Sequence, residues 1–425
     1  MSKQDSSRQS AEINFSRSNA LFERAGQVIP GGVWGHNRFP AIYNPGKYPW
    51  FARSGKGAYF TDVDGNQFID YMCGYGAMIS GYAHAEIDSA AKVAMDSGEC
   101  LVQATELSIE LAEKLSKTVQ GMDWCAFGKN GSDALAIAIL CARAATGRAS
   151  LICVGSAYHG SHFWCNWSNP GTGRPLSDSV EVHRVDWNDP VQMEKTLQSH
   201  RGNIAAVILT PFHHPIPGPS VLPSPGYWSQ VERLCREHGA LLVIDDVRTG
   251  LRLDLAGSHR YFGFQPDLVC MSKAIGNTHP ISVTLGRAGL LEHAGEIFAA
   301  GTFWGCTSPM AAALTNLRIL HETNAVQHMD MVGHRLAEGL VSAGSSYGYE
   351  VNMTGVNAIP TMTISGDQDF EYMQQFAETM VSQGSFINPM HNWFLSAAHT
   401  IEDIDKTLEH SNTAFAMLKE LKGRP

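Results

Sequence analysis

Four short apolar runs constrain the fold of this chain most: SLICV at 150–154, IAAVIL at 204–209, LLVID at 241–245 and LVCM at 268–271. A strand with one wet face alternates apolar and polar residues. These runs do not alternate, so both of their faces must be covered. From about Ala83 helical periodicity alternates with strand runs, with helices at 86–97, 105–118, 132–146 and 228–238. That alternation predicts an α/β protein whose mostly parallel sheet lies between layers of helix.

Other elements frame this unit. The stretch GAYFTDVDGNQFIDYM reads as a hairpin turning at Asp64-Gly65-Asn66. An amphipathic helix over Ser16–Val28 stops at IPGG, and the polar residues 1–12 are expected to be disordered. Beyond residue 325 the pattern changes to a helix at 326–343, two β runs near 349–364, and helices at 369–382 and 402–420. The expected organisation is a disordered 1–12, a first part of a small α+β domain at 13–60, a large domain at 61–325, and the rest of the small domain at 326–425.

Composition narrows the class. A chain of 425 residues can bury two or three domain-sized cores. The net charge of -10, without a block of five like charges, argues against a nucleic-acid partner. Nine cysteines without a CxxC pair predict reduced thiols and a cytoplasmic setting, not a disulfide framework or a zinc ribbon. The opening MSKQDSSRQSAEINF lacks the apolar core of a secretory signal, and no window approaches eighteen apolar residues, so no membrane partner is expected.

The chemistry gathers at strand ends. Lys273 follows LVCM after a single serine. Taken alone, a lysine after a strand is more often a surface residue. At a buried strand end, desolvation favours its neutral amine, the form that condenses with a carbonyl. Asp245 ends LLVID, where a carboxylate points into the ligand crevice of an open α/β sheet, although a turn or cap role is as ordinary. Asp246 is available for that plainer role. Asn130, Gly131 and Ser132 open a helix whose amides and positive end suit a phosphate, and Ser132 would also serve as a simple N-cap. Tyr158 and His159 follow the strand at 150–154, and Thr302 precedes a helix. The histidines at 159, 162, 213 and 214 lack an accompanying acid or thiol set, so no metal site is expected.

The order of parts resembles the class III aminotransferases, fold type I of the enzymes that use pyridoxal 5'-phosphate (PLP), and within them the glutamate-1-semialdehyde aminomutase-like branch. The matching pieces are IPGGV, DVDGNQFIDY, GYAHAEI, NGSDA, ARAATGR, YHG, IDDVRTGLR, PDLVCMSKAIG, GTFWG and FLSAAHTIEDIDKTL, which span about residues 28 to 410. The resemblance implies a seven-stranded, mostly parallel sheet and a homodimer with shared active sites. It implies that Lys273 forms the Schiff base, that Asp245 meets the pyridine nitrogen, and that Val247 and Tyr158 cover the two ring faces. His159 joins the cofactor contacts, Asn130, Gly131 and Ser132 form the phosphate turn, and Thr302 reaches the phosphate of the neighbouring subunit. Arg38 aligns with an arginine that binds a substrate carboxylate and Tyr75 with an aromatic pocket wall, while GTFWGCTSP departs from the family's Gly-Thr-(Leu/Phe)-Ser-Gly-Asn and puts Trp304 near the cofactor mouth.

Departures from the family fall around the substrate. The usual Glu-Pro-Val is Thr210-Pro211-Phe212, followed by His213 and His214, and Arg248 follows Asp245-Asp246-Val247. These leave the cofactor residues intact and resemble a side branch that includes fumonisin-type aminotransferases. The expected reaction moves an amino group from a primary amine or amino acid to a 2-oxo acid such as pyruvate. Intramolecular transfer by an aminomutase and a silent PLP-fold binding protein stand as alternatives.

Overall fold

The computed structural model describes residues 13–33, 46–162, 164–165 and 182–422. The residues 1–12 expected to be disordered lie outside the described residues, as does Arg38. Three N-terminal strands come first: β1 (Ala52–Lys56), β2 (Tyr59–Asp62) and β3 (Gln67–Asp70). The strands β2 and β3 form the expected hairpin. Its turn is held by Asp62, whose Oδ1 accepts from the amides of Asp64 and Asn66.

The central sheet has seven strands, β4 (Trp124–Gly128), β5 (Ser150–Val154), β6 (Val182–Val185), β7 (Ile204–Leu209), β8 (Leu241–Asp245), β9 (Leu268–Met271) and β10 (Ser282–Gly286). Their order is β4-β10-β9-β8-β7-β5-β6. Only β10 runs against its neighbours, so the other six share one direction. Alternate residues of the apolar runs serve opposite faces. Leu151, Cys153, Ala206 and Ile208 pack with the helix Gly131–Thr146 through Ala134, Leu135, Ala138 and Ile139. Ile152, Val154, Val207 and Leu209 pack on the other side with the helices Pro190–Ser199 and Tyr227–His238. Both faces are therefore dry, as the sequence demanded.

The N-terminal helix covers Ser16–Ala25, three residues shorter than expected, with Gly26 at its C-cap and Val28 largely exposed. After the helix Thr307–Glu322 come the helix Ala325–Ser346, the hairpin β11 (Val351–Val356) with β12 (Ile359–Ile364), the helix Glu371–Gln383, the short β13 (Ser385–Phe386) and the helix Ile401–Lys422. The strand β13 lies parallel to β3, so late residues complete the sheet begun by the first strands. Among the described residues, no helix is long and apolar enough to cross a membrane.

Candidate active site

Six strands of the central sheet share a direction, so their C-terminal ends line one edge, where an open α/β sheet forms its ligand crevice. Four of those ends carry the residues singled out from the sequence. The end of β8 supplies Asp245 and Val247, β9 supplies Lys273, β5 supplies Tyr158 and His159, and β4 leads into Asn130-Gly131-Ser132.

Asp245 is buried and hydrogen-bonded to His159, with Oδ2 2.7 Å from Nδ1. Its other oxygen accepts from the amide of Val247 at 3.1 Å. His159 is itself buried; its Nε2 has no partner among the described residues, and its ring stacks on Trp164. Asp246 takes the plainer role. It is fully buried and accepts from the amide of Ser258 at 3.0 Å and from the Ser258 and Thr249 hydroxyls. Burial pushes its carboxyl up to about 6 against those bonds.

Lys273 opens a single 3-10 turn one residue after β9, with Ser272 between them. Its backbone lies in the left-handed region at φ 48, a strained conformation for a residue with a Cβ. Burial, then the Arg248 charge, lower its pKa to about 7, against the opposing pull of Asp245. Near neutral pH about half of such amines are uncharged, which an ordinary lysine with a pKa of about 10.4 is not. Among the described residues, its ammonium makes no hydrogen bond or ion pair. A free, partly neutral amine at a crevice carboxylate is equipped to condense with a carbonyl.

The turn into the helix Gly131–Thr146 is built for a tight approach. Asp133 Oδ2 holds the amides of Lys129 and Asn130, each at 2.9 Å, leaving the Gly131 and Ser132 amides without a protein acceptor among the described residues. A Cβ at Gly131 would come within 2.9 Å of the Val247 methyls. Gly160, at φ 108, leaves room for Ser132, whose hydroxyl would meet an added Cβ at 2.3 Å. Ser132 Oγ also accepts from the Ser161 amide at 3.1 Å. Free amides at a positive helix end, with side chains kept out by two glycines, fit a phosphate. The unpartnered amine, the crevice carboxylate and the phosphate cradle together fit PLP. Tyr158 is partly exposed beside them, with its hydroxyl pKa raised mainly by burial.

Other expected residues stand apart or outside. Thr302 is exposed in the loop before the helix Thr307–Glu322, and Trp304 lies in the same loop with its indole against Gly301. Tyr75 sits in a strained turn at φ 56, with its ring 5.4 Å from that of His391. The adjacent Asn392 accepts from Arg248 Nη1 at 2.7 Å. The sequence singled out Arg248 only as a departure and passed over His391 and Asn392. A cation three residues beyond the crevice carboxylate was the available signal for Arg248.

Comparisons with known proteins give the family. The profile of the family "Aminotransferase class-III" matches residues 42–414. The aminopentol aminotransferase of Sphingopyxis macrogoltabida is 38% identical over 404 residues, covering 95% of this chain and 94% of that protein. A glutamate-1-semialdehyde 2,1-aminomutase of Syntrophobacter fumaroxidans is 32% identical, covering 95% of this chain and 98% of that protein. The solved PLP internal aldimine form of the FumI protein of Sphingopyxis sp. MTA144 superposes with a TM-score of 0.92 at 37% identity, over 96% of this chain and 98% of that one. The chain belongs to the class-III aminotransferase family.

Proposed function

We propose that this protein is a PLP-dependent aminotransferase that moves an amino group from a primary amine to a 2-oxo acid such as pyruvate. The observation that carries the reading is Lys273: a crevice amine, pKa about 7, unpartnered among the described residues and close enough to Asp245 to feel its charge. When bound, PLP supplies an aldehyde that amines displace from one another and a protonated ring that draws electrons from an adjacent C–H bond.

The residues divide the work. Lys273 Nζ would hold the aldehyde carbon of the cofactor and, once the donor amine takes its place, would carry the proton from the donor's amine-bearing carbon to that aldehyde-derived carbon. Asp245 keeps a proton on the ring nitrogen, and His159 steadies the carboxylate through the 2.7 Å bond. Val247 and Tyr158 fix the ring plane, and the Gly131 and Ser132 amides with the Ser132 hydroxyl take the phosphate. Thr302 is exposed on its own chain, which supports its acting on the phosphate of a second copy in a homodimer. Nine unbridged cysteines support a reducing, cytoplasmic setting.

The likeness to an aminopentol aminotransferase, stronger than that to the aminomutase, supports a bulky amine donor and a separate acceptor. The test follows the bound cofactor's absorbance while amino acids, 4,5-diamino acids and long-chain amines are added singly, then adds pyruvate. Conversion by an amine and its reversal by pyruvate are expected. Turnover of a diamino acid without any acceptor would point to the aminomutase, and no spectral change with any amine would refute the reading.

A further inference from the structure

Two buried arginines follow Asp245, and they are used differently. Arg252 is fully enclosed: Nη1 donates to Leu395 O at 2.6 Å, Nη2 to Gly76 O at 2.8 Å and Met78 O at 3.3 Å, and the Phe394 ring lies 5.3 Å below. Its hydrogen bonds tie three segments together, which is a structural role. Arg248, only 8% exposed, makes one hydrogen bond among the described residues, from Nη1 to Asn392 Oδ1. A guanidinium has five N–H donors, and its other N–H groups donate to none of the described residues.

Asp245 is near enough to attract the charge of Arg248. Among the described residues, however, no carboxylate forms an ion pair with it, and both Asp245 oxygens bond elsewhere, to His159 and to the Val247 amide. The neighbouring His214 is buried, its Nδ1 3.1 Å from Phe212 O, and burial with Arg248 holds its pKa far down, so it adds no charge. A buried, unpaired cation is costly unless an anion arrives to meet it. The cofactor phosphate has its own cradle at Gly131 and Ser132, which leaves the cofactor's ring oxygen and a substrate carboxylate as anions for Arg248, and of these only the carboxylate matches a fork of two N–H donors.

We propose that Arg248 is the carboxylate seat of the active site, oriented by Asn392, and that it selects acceptors of the 2-oxo acid class. The inference rests on the aminotransferase reading and names which substrate carries the negative charge. A planar guanidinium with one edge pinned by Asn392 presents its other edge to a carboxylate in a bidentate fork, which a lysine ammonium cannot copy.

The test compares pyruvate with propanal, which shares the carbonyl and lacks the carboxylate, as acceptors for the amine-loaded holoenzyme. In R248M and R248K the ratio of kcat/KM for pyruvate to that for propanal is expected to fall about 10- to 100-fold. On the wild-type holoenzyme, propionate is expected to perturb the cofactor absorbance at concentrations at least about tenfold below those needed for propionamide. An unchanged ratio in both variants, or equal binding of propionate and propionamide, overturns the proposal. Equal loss toward both acceptors assigns Arg248 to tuning Lys273 instead. Conversion of the wild-type cofactor by a carboxylate-free amine tests the aminotransferase reading separately, so the two failures are distinguishable.

Discussion

Capture of PLP by the cofactor-free protein should follow the titration of Lys273. The perturbation is pH, and the relevant species is the neutral amine, because only it attacks an aldehyde. With a pKa of about 7, roughly half of Lys273 is neutral at pH 7. An unperturbed lysine, pKa about 10.4, would be neutral in about one molecule in 2,500 at that pH. The structure thus implies a rate advantage of about a thousandfold at pH 7 from protonation alone. Capture is measured by stopped-flow absorbance between pH 5.5 and 10, divided at each pH by the rate with N-acetyl-lysine to cancel the ionisations of PLP. The corrected rate constant, taken per neutral amine of the reference, should show a midpoint near 7. A midpoint above 9 would refute the claim that burial and Arg248 depress this amine. The same linkage fixes a sign for stability. Between about 7 and 10 the unfolded chain binds more protons at Lys273 than the folded chain does, so this residue makes the cofactor-free protein more stable as pH rises through that window.

Other outcomes follow from the site. Asp245→Asn removes the carboxylate that keeps the ring protonated, and kcat should fall about 10²–10³-fold in steady-state assays with any donor. Gly160→Ala forces a Cβ onto Ser132 Oγ at a φ of 108, so thermal denaturation should show a loss of about 1–3 kcal/mol together with weaker PLP retention on dialysis. Thr302→Ala removes an exposed hydroxyl; the melting temperature of the cofactor-free protein should stay within about a degree, while PLP affinity drops about tenfold if the neighbouring chain uses that group. Equal PLP affinity in that variant would remove Thr302 from the shared site.

The sheet was legible where burial was two-sided. The strands β5, β7, β8 and β9 are apolar throughout or nearly so, and the sequence bounds match the structure. The edge strand β6, VHRV, is partly exposed and carries charge, so it has no such signature. The buried β10 hides behind Ser282 and Thr284, whose polarity disguises a core strand; Thr284 satisfies its hydroxyl on Ala134 O at 2.7 Å. Lys273, Asp245 and Gly131 were legible because each stands at a strand end or helix start, a position that sequence reports directly. The seat around Arg248 was not. Its partner Asn392 lies 144 residues away, and no local pattern announces a hydrogen bond that only the fold creates.

The pairing of β13 with β3 has a consequence for how the chain is made. The strands β1–β3 leave the ribosome early, but the neighbour that completes their sheet, Ser385–Phe386, is more than three hundred residues further on. At about 5–20 residues per second, the edge of β3 waits roughly 15–60 s with its backbone groups uncovered. A nascent chain of this protein therefore passes through an interval in which its earliest β structure can recruit the wrong strand, and translation speed bears on its yield.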